Sequence, residues 1–168
     1  MLKKKSANAV TSKAKGNTLL LERQFDATPE QVYEAYTKAE QLTAWWGPRG
    51  WTLPVCTVDL RPDGAWHYCI ASADSDNKSW GKMIYKEIEP NVKLVYVDYP
   101  SDEEGIVNEG TGILITLSFQ SHNGGTKLIN RAEFVSSQAL KRTLNLGVVE
   151  GMTQTWSRLA EHLRNTSS

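Results

Sequence analysis

The chain reads as an α+β fold in which a strongly curved antiparallel sheet wraps a long C-terminal helix, with two short helices after the first strand. Three observations predict it. Between Gln138 and Arg164, Leu140, Leu144, Val148, Met152, Trp156, Leu159 and Leu163 recur at steps of three and four, which sets them in one stripe on a 3.6-residue turn. Upstream, runs of alternating apolar residues are separated by turns too short for crossover helices, so neighbouring strands must be antiparallel. Finally, Thr28-Pro29-Glu30-Gln31 spells a helix start, with a threonine cap, proline in the first turn and glutamine three residues after the cap.

In chain order, Thr18 to Phe25 reads as a strand, followed by a helix from Pro29 with Val32, Tyr33, Tyr36 and Leu42 on the apolar side. A second short helix, Ala39 to Trp46, is stopped by Gly47-Pro48. Six strands follow: Thr52 to Leu60, Ala65 to Ala71, Ser79 to Glu89, Val92 to Tyr99, Gly112 to Ser121 and Thr126 to Val135. Their breaks carry turn chemistry, among them Pro62-Asp63-Gly64, Pro90-Asn91, an acidic loop from Pro100 to Glu109, and Asn123-Gly124-Gly125. A sheet with one apolar concave face buries it only against the terminal helix.

The hairpin at Pro62-Asp63-Gly64 suits a type I turn with Gly64 as a left-handed bulge, which sets Arg61 opposite Ala65. Cys56, Val58 and Leu60 then share an apolar face with Trp66, Tyr68 and Ile70, while Thr57, Asp59, His67 and Cys69 take the other. Cys56 and Cys69 are thus expected as free thiols on opposite faces, and His67 as a surface partner of Asp59. On the last strand Leu128, Asn130, Ala132 and Phe134 share one side, so Asn130 is the polar exception on an apolar face. It reads either as an amide satisfied by backbone or water, or as a polar contact to a ligand.

On the terminal helix Ser136 or Ser137 caps the start, and Lys141, Arg142, Glu150, Arg158 and Glu161 among others face water. Gly147 and Gly151 each cost a helix interior roughly 1 kcal/mol relative to alanine. Two readings account for them: close packing or a kink at Gly147, or room left beneath the helix for something that is not protein.

At 168 residues the chain suits one domain, with residues 1–17 as a disordered basic tail, 18–164 as the folded unit and 165–168 as a short tail. Nineteen basic and nineteen acidic residues balance, but five lysines precede the first acid, Glu22, leaving fourteen basic against nineteen acidic residues after them. No nucleic-acid footprint, signal peptide or membrane span is written there, and a cytoplasmic, soluble protein is expected. Two cysteines without zinc spacing make no metal site, and no cofactor fingerprint occurs. His67, His122 and His162 have no triad setting, and no nucleophile elbow is present.

Taken together, Phe25-Asp26-Ala27-Thr28-Pro29-Glu30-Gln31-Val32-Tyr33, Trp45-Trp46-Gly47-Pro48, Asp59-Leu60-Arg61-Pro62-Asp63-Gly64-Ala65-Trp66, Gly81 to Pro90, Gly124-Gly125-Thr126 and Gly151 to Leu163 resemble the START-type helix-grip superfamily (SRPBCC). The branch they are most similar to is the one named after the activator of the heat-shock protein 90 ATPase. The resemblance covers Leu19 to Leu163 and implies a hydrophobic cavity between the sheet and the last helix. It implies a carrier, sensor or sequestering protein for a lipid-like or aromatic molecule. Two alternatives come with it: a co-chaperone-like stress protein acting on the heat-shock protein 90 ATPase, and a cyclase-type enzyme on an apolar substrate. Relatives commonly place tryptophan directly after the glycine of the last helix, where this chain has Met152, a change that reshapes the cavity.

The expected ligand-binding set is Trp46, Trp51, Val58, Trp66, Tyr68, Met83, Tyr96, Asn130, Gly151, Met152 and Trp156. Aromatic rings supply apolar area, the two methionines are adaptable fillers, and Asn130 adds one polar contact. The expected partner is an apolar small molecule, with a chaperone as the second candidate.

Overall fold

The computed structural model describes residues 9–166. The strands are β1 (Thr11–Lys15), β2 (Thr18–Phe25), β3 (Trp51–Val58), β4 (Ala65–Ser72), β5 (Lys78–Glu89), β6 (Lys93–Ser101), β7 (Ile113–His122) and β8 (Gly125–Glu133). Helices α1 (Pro29–Thr37) and α2 (Ala39–Trp45) follow β2, and α3 (Ser137–Asn145) and α4 (Val148–Thr166) end the chain. All eight strands form one antiparallel sheet in the order β1-β2-β8-β7-β6-β5-β4-β3. This is the helix-grip architecture, with the apolar face of the sheet closed over α4.

The start of α1 follows its sequence signal in full. Thr28 Oγ1 accepts from the Gln31 amide at 3.1 Å, and the Gln31 side chain accepts from the Thr28 amide at 2.8 Å. Ser136 caps α3 by accepting from the Ala139 amide at 3.0 Å.

Five expectations need correction. Residues 11–15, expected within a disordered tail, form β1, an edge strand paired with β2 from Thr11↔Glu22 to Lys15↔Thr18. It has no apolar alternation because all five of its residues are exposed, so ladder hydrogen bonds alone hold it. The Gly16-Asn17 turn is pinned from below: Asn17 Nδ2 donates to the Phe134 carbonyl at 2.8 Å, and the Phe134 amide donates to the Asn17 carbonyl. Residues 1–8 and 167–168 of the expected tails lie outside the described residues.

The terminal helix, expected as one piece, is two. Gly147 takes φ +87°, where L side chains are strained, and stops α3 before α4 begins. The kink reading therefore holds for Gly147, and Leu146 at that corner is 87% exposed. Arg158, expected to face water, instead reaches back to the segment after α2, donating from Nη1 to the Gly47 carbonyl at 2.9 Å and to the Trp51 carbonyl at 3.3 Å.

The β3–β4 register is Cys56↔Tyr68 and Val58↔Trp66, shifted by two residues from the expected pairing. The turn is longer because Asp63, not Gly64, takes the left-handed conformation, at φ +66°. Gly64 lies so close to the Asp59 carbonyl that a Cβ would collide with it. A shift of two preserves every face, so Cys56 and Cys69 are free and on opposite sides as expected. His67 does not meet Asp59, whose carboxylate pairs with Arg61. It stacks on Trp80 with ring centroids 5.1 Å apart, and its Nε2 lies 3.0 Å from the Asp102 carbonyl, which requires the proton on Nε2. The acidic loop thus folds over the outer face of β4 and β5, helped by Lys82 donating to the Gly105 carbonyl at 3.1 Å.

Candidate functional site

Period-two alternation lines the concave face with three cross-strand rows. One runs Leu21, Asn130, Leu117 and Leu94; the next Leu19, Ala132, Ile115, Tyr96 and Tyr85; the third Ile113, Asp98, Met83, Trp66 and Val58. Where α3 turns into α4, the helices stand off from these rows and leave a cavity of about 100 Å³. Its floor is the first end of all three rows; its roof is Thr143 of α3, Val148 and Met152 of α4, with Phe134 and Trp46 at the sides.

Three polar side chains in this apolar lining have no hydrogen-bond partner among the described residues. Asn130 is only 6% exposed, and its amide makes no hydrogen bond to any described residue. The Asp98 carboxylate likewise has neither a hydrogen bond nor an ion pair among the described residues, and burial pushes it up to about 6 from 3.8. The Tyr96 hydroxyl, also without a hydrogen bond, is pushed well above the usual tyrosine range, first by burial and then by Tyr36 and Asp98. Polar groups in apolar surroundings are normally satisfied, so this cluster calls for a partner that the fold does not supply.

A second, open hollow of about 200 Å³ lies on the other side of Trp46, Val148 and Met152. Gly47 and Pro48, Tyr68 and Ile70 of β4, and Gly151 and Thr155 of α4 complete it. A Cβ built on Gly151 meets only Pro48, at 3.9 Å, so this glycine does leave space. Arg158 holds the rim of this hollow against α4 through the Gly47 carbonyl. Because both spaces share Met152, one rotamer change of a flexible side chain alters the wall between them. Depressions beside Lys13, Lys15 and Arg131, and beside Arg23 and His122, are open grooves with charged walls along the edge hairpin.

Of the residues expected at a ligand site, Trp46, Met83, Tyr96, Asn130 and Met152 line the cavity, and Tyr68 and Gly151 line the second hollow. Four line neither. Trp66 is buried behind Trp46, with ring centroids 4.7 Å apart. Trp156 is fully buried and donates its indole N–H to the Tyr36 hydroxyl at 2.8 Å. Val58 packs on the core at the end of its row, and Trp51 sits at the start of β3 with its carbonyl held by Arg158. The expected set omitted Asp98, although Leu94, Tyr96 and Asp98 alternate on β6 just as Leu128, Asn130 and Ala132 do on β8. Leu19, Leu21, Ile113 and Thr143 carry no signal that separates them from core.

Among the described residues no three His, Cys, Asp or Glu side chains gather to hold a metal ion, and no helix is long and apolar enough to cross a membrane.

The sheet, the helix it grips and the hollow between them define the helix-grip class of folds. The family model for Activator of Hsp90 ATPase homolog 1-like proteins matches residues 26–164, and the chain belongs to that family. Solved structures agree in fold. Protein Ms6760 from Mycobacterium smegmatis is 24% identical, covers 95% of this chain and 97% of its own, and superposes with a TM-score of 0.80. A solution structure from Staphylococcus epidermidis is 25% identical over 94% of this chain and 96% of its own, with a TM-score of 0.82. The AHSA1 protein from Silicibacter pomeroyi is 19% identical over 88% and 97%, with a TM-score of 0.71. No curated protein matches the sequence.

Proposed function

We propose that the protein binds a small, largely apolar molecule in the cavity between the sheet and the α3–α4 corner, as a carrier, sensor or sequestering protein. The observation that supports this is the pairing of an apolar lining with Asn130, which is buried, and Asp98, which is half-buried, neither with a hydrogen-bond partner among the described residues. A few convergent polar groups in an apolar concavity are the usual make-up of a small-molecule site. Size bounds the ligand. About 100 Å³ is below the roughly 300 Å³ at which drug-sized pockets begin, and near the ~150 Å³ that holds benzene in a dry apolar cavity. The resting cavity therefore bounds the ligand at one ring, and a larger one requires Met152 to swing and join the second hollow.

Toluene is the simplest probe, followed by ligand-observed NMR. It should bind the wild type, and Ala132→Leu, which places a side chain in the cavity, should abolish that binding while the fold is kept. A wild type that leaves toluene free at millimolar concentration, or an Ala132→Leu variant that binds it equally well, overturns the reading.

A further inference from the structure

The partnerless groups also say what the ligand carries. We propose that the site is built for a compact apolar molecule bearing a protonated amine, with the Asp98 carboxylate as its counter-ion and the Asn130 amide oxygen as a second acceptor; this rests on the cavity being the binding site.

A carboxylate is an acceptor only, so whatever satisfies it must donate. Among the described residues, the cations on the strands beside Asp98 are held elsewhere. On the flanking strands Lys82 reaches the Gly105 carbonyl, Lys86 pairs with Asp63 and Lys93 pairs with Glu87. Arg23, which shares its face of β2 with Leu19 and Leu21, lies at the far end of the strand beside Leu163 and Arg164. Among the described residues no lysine, arginine or histidine lines the cavity. The groups facing Asp98 are Tyr96 on its own strand, Tyr68 on β4, Met83 opposite on β5, Ile113 opposite on β7, Asn130 on β8, and Thr143, Val148 and Met152 from the helices. None of these can supply positive charge.

A neutral alcohol would offer one donor. An ammonium offers three, and its charge makes each hydrogen bond to the carboxylate roughly twice as strong as a neutral one. The walls fit the same group, because the rings of Trp46 and Tyr96 line the cavity beside Asp98 and a cation is drawn to such faces. Burial without a partner holds the Asp98 carboxyl near 6, and a bound cation acts in the opposite direction, so binding and ionisation must be linked.

The experiment compares three molecules of one shape, toluene, benzyl alcohol and benzylamine, at pH 7.5 on the full chain. Benzylamine should bind wild type about ten-fold or more tightly than toluene, the scale of a charge-assisted hydrogen bond. In Asp98→Asn that preference, read as the ratio of benzylamine to toluene affinity in the same variant, should vanish. Two measurements on wild type need no variant: benzylamine affinity should fall as pH drops through 6, and bound benzylamine should lower the titration midpoint of the labelled Asp98 carboxyl. Binding of benzyl alcohol equal to benzylamine, or an amine preference that survives Asp98→Asn, overturns the amine assignment and leaves the cavity reading intact. A protein that binds none of the three overturns the cavity reading itself.

Discussion

Trp156 was expected at the ligand, and the structure places it in a buried hydrogen bond instead, which makes Tyr36→Phe an incisive test. The phenol of Tyr36 is 1% exposed and the indole of Trp156 is fully buried, with 2.8 Å between Nε1 and Oη. Tyr36 packs edge-on to Trp45 at 4.8 Å and to Phe119 at 6.1 Å, so removing one oxygen leaves the ring held where it is. What remains is an indole N–H with no acceptor in the core, at about 1–3 kcal/mol. For a chain of this length that lowers the melting temperature by roughly 2–4 °C per kcal/mol. Trp156→Phe loses the same bond and opens space as well, so it should cost more, about 2–4 kcal/mol. In the double variant both partners are gone, and urea unfolding followed by far-UV circular dichroism should give a loss about 1–2 kcal/mol smaller than the sum. Additivity within a few tenths of a kcal/mol would mean that the two groups do not interact. Toluene binding should be unchanged in Tyr36→Phe, because neither ring lines the cavity.

Two further outcomes follow from the geometry. The folded state raises the Asp98 carboxyl from 3.8 to about 6, so it favours the protonated form: the contribution is complete below about 4 and is lost as pH rises through 6. Asp98→Asn should therefore match wild type near pH 4 and be more stable by on the order of 1–2 kcal/mol at pH 8, and a gain that is the same at both pH values would contradict this. The two helix glycines should respond in opposite directions to alanine. Gly147→Ala meets φ +87° and should destabilise by about 1 kcal/mol, whereas Gly151→Ala, in regular helix with open space at its Cβ, should stabilise by about 0.5–1 kcal/mol; equal signs in thermal melts would refute the assignment of the break.

What could be read from the sequence was whatever rests on local periodicity. Seven of the eight strands and the apolar stripe were legible because each is a repeat of two or of three and four along the chain, and the capping box at Thr28 because its residue types stand at fixed offsets. Helix continuity was not, since Leu144, Val148 and Met152 keep the 3.6-residue spacing straight across Gly147, and only the backbone angle shows that the chain turns there. Strand β1 escaped for the reverse reason: TSKAK has no buried face, so hydropathy is silent, although Gly16-Asn17 is a two-residue hairpin signal. In the hairpin at Gly64 parity was recoverable and register was not, because every even shift sorts the faces alike. Five of the eleven expected site residues reached the cavity, since inward orientation was predictable but depth along each strand was not. Trp66 and Trp156 point inward as expected, at positions where other rings already fill the space.

The cavity is also a cost to the stability of this fold, and that bears on why it is there. A void costs about 24 cal/mol per Å³ when empty, so 100 Å³ corresponds to as much as about 2 kcal/mol, before any cost of leaving Asn130 and Asp98 without partners. Elsewhere the apolar core is filled: Leu42, Leu94, Leu117 and Leu128 are buried against neighbours, and the glycine at position 81 is covered, with the Tyr68 hydroxyl 2.5 Å from where its Cβ would be, although the Trp66 indole N–H, the Tyr85 hydroxyl and Arg23 Nε are also buried without a hydrogen-bond partner. Ala132 is the small residue at the cavity floor, between Leu19 and Ile115 in the sheet. Had the space been a mere packing shortfall, a larger residue there would improve the protein without consequence. If the space serves a ligand, Ala132→Leu should raise stability, by up to the ~2 kcal/mol of the void, and in the same molecule remove toluene binding. Calorimetry and ligand-observed NMR on one sample read both quantities. A variant that is more stable and still binds toluene would separate the void from the site, and a variant that is less stable would show the cavity smaller than a leucine side chain.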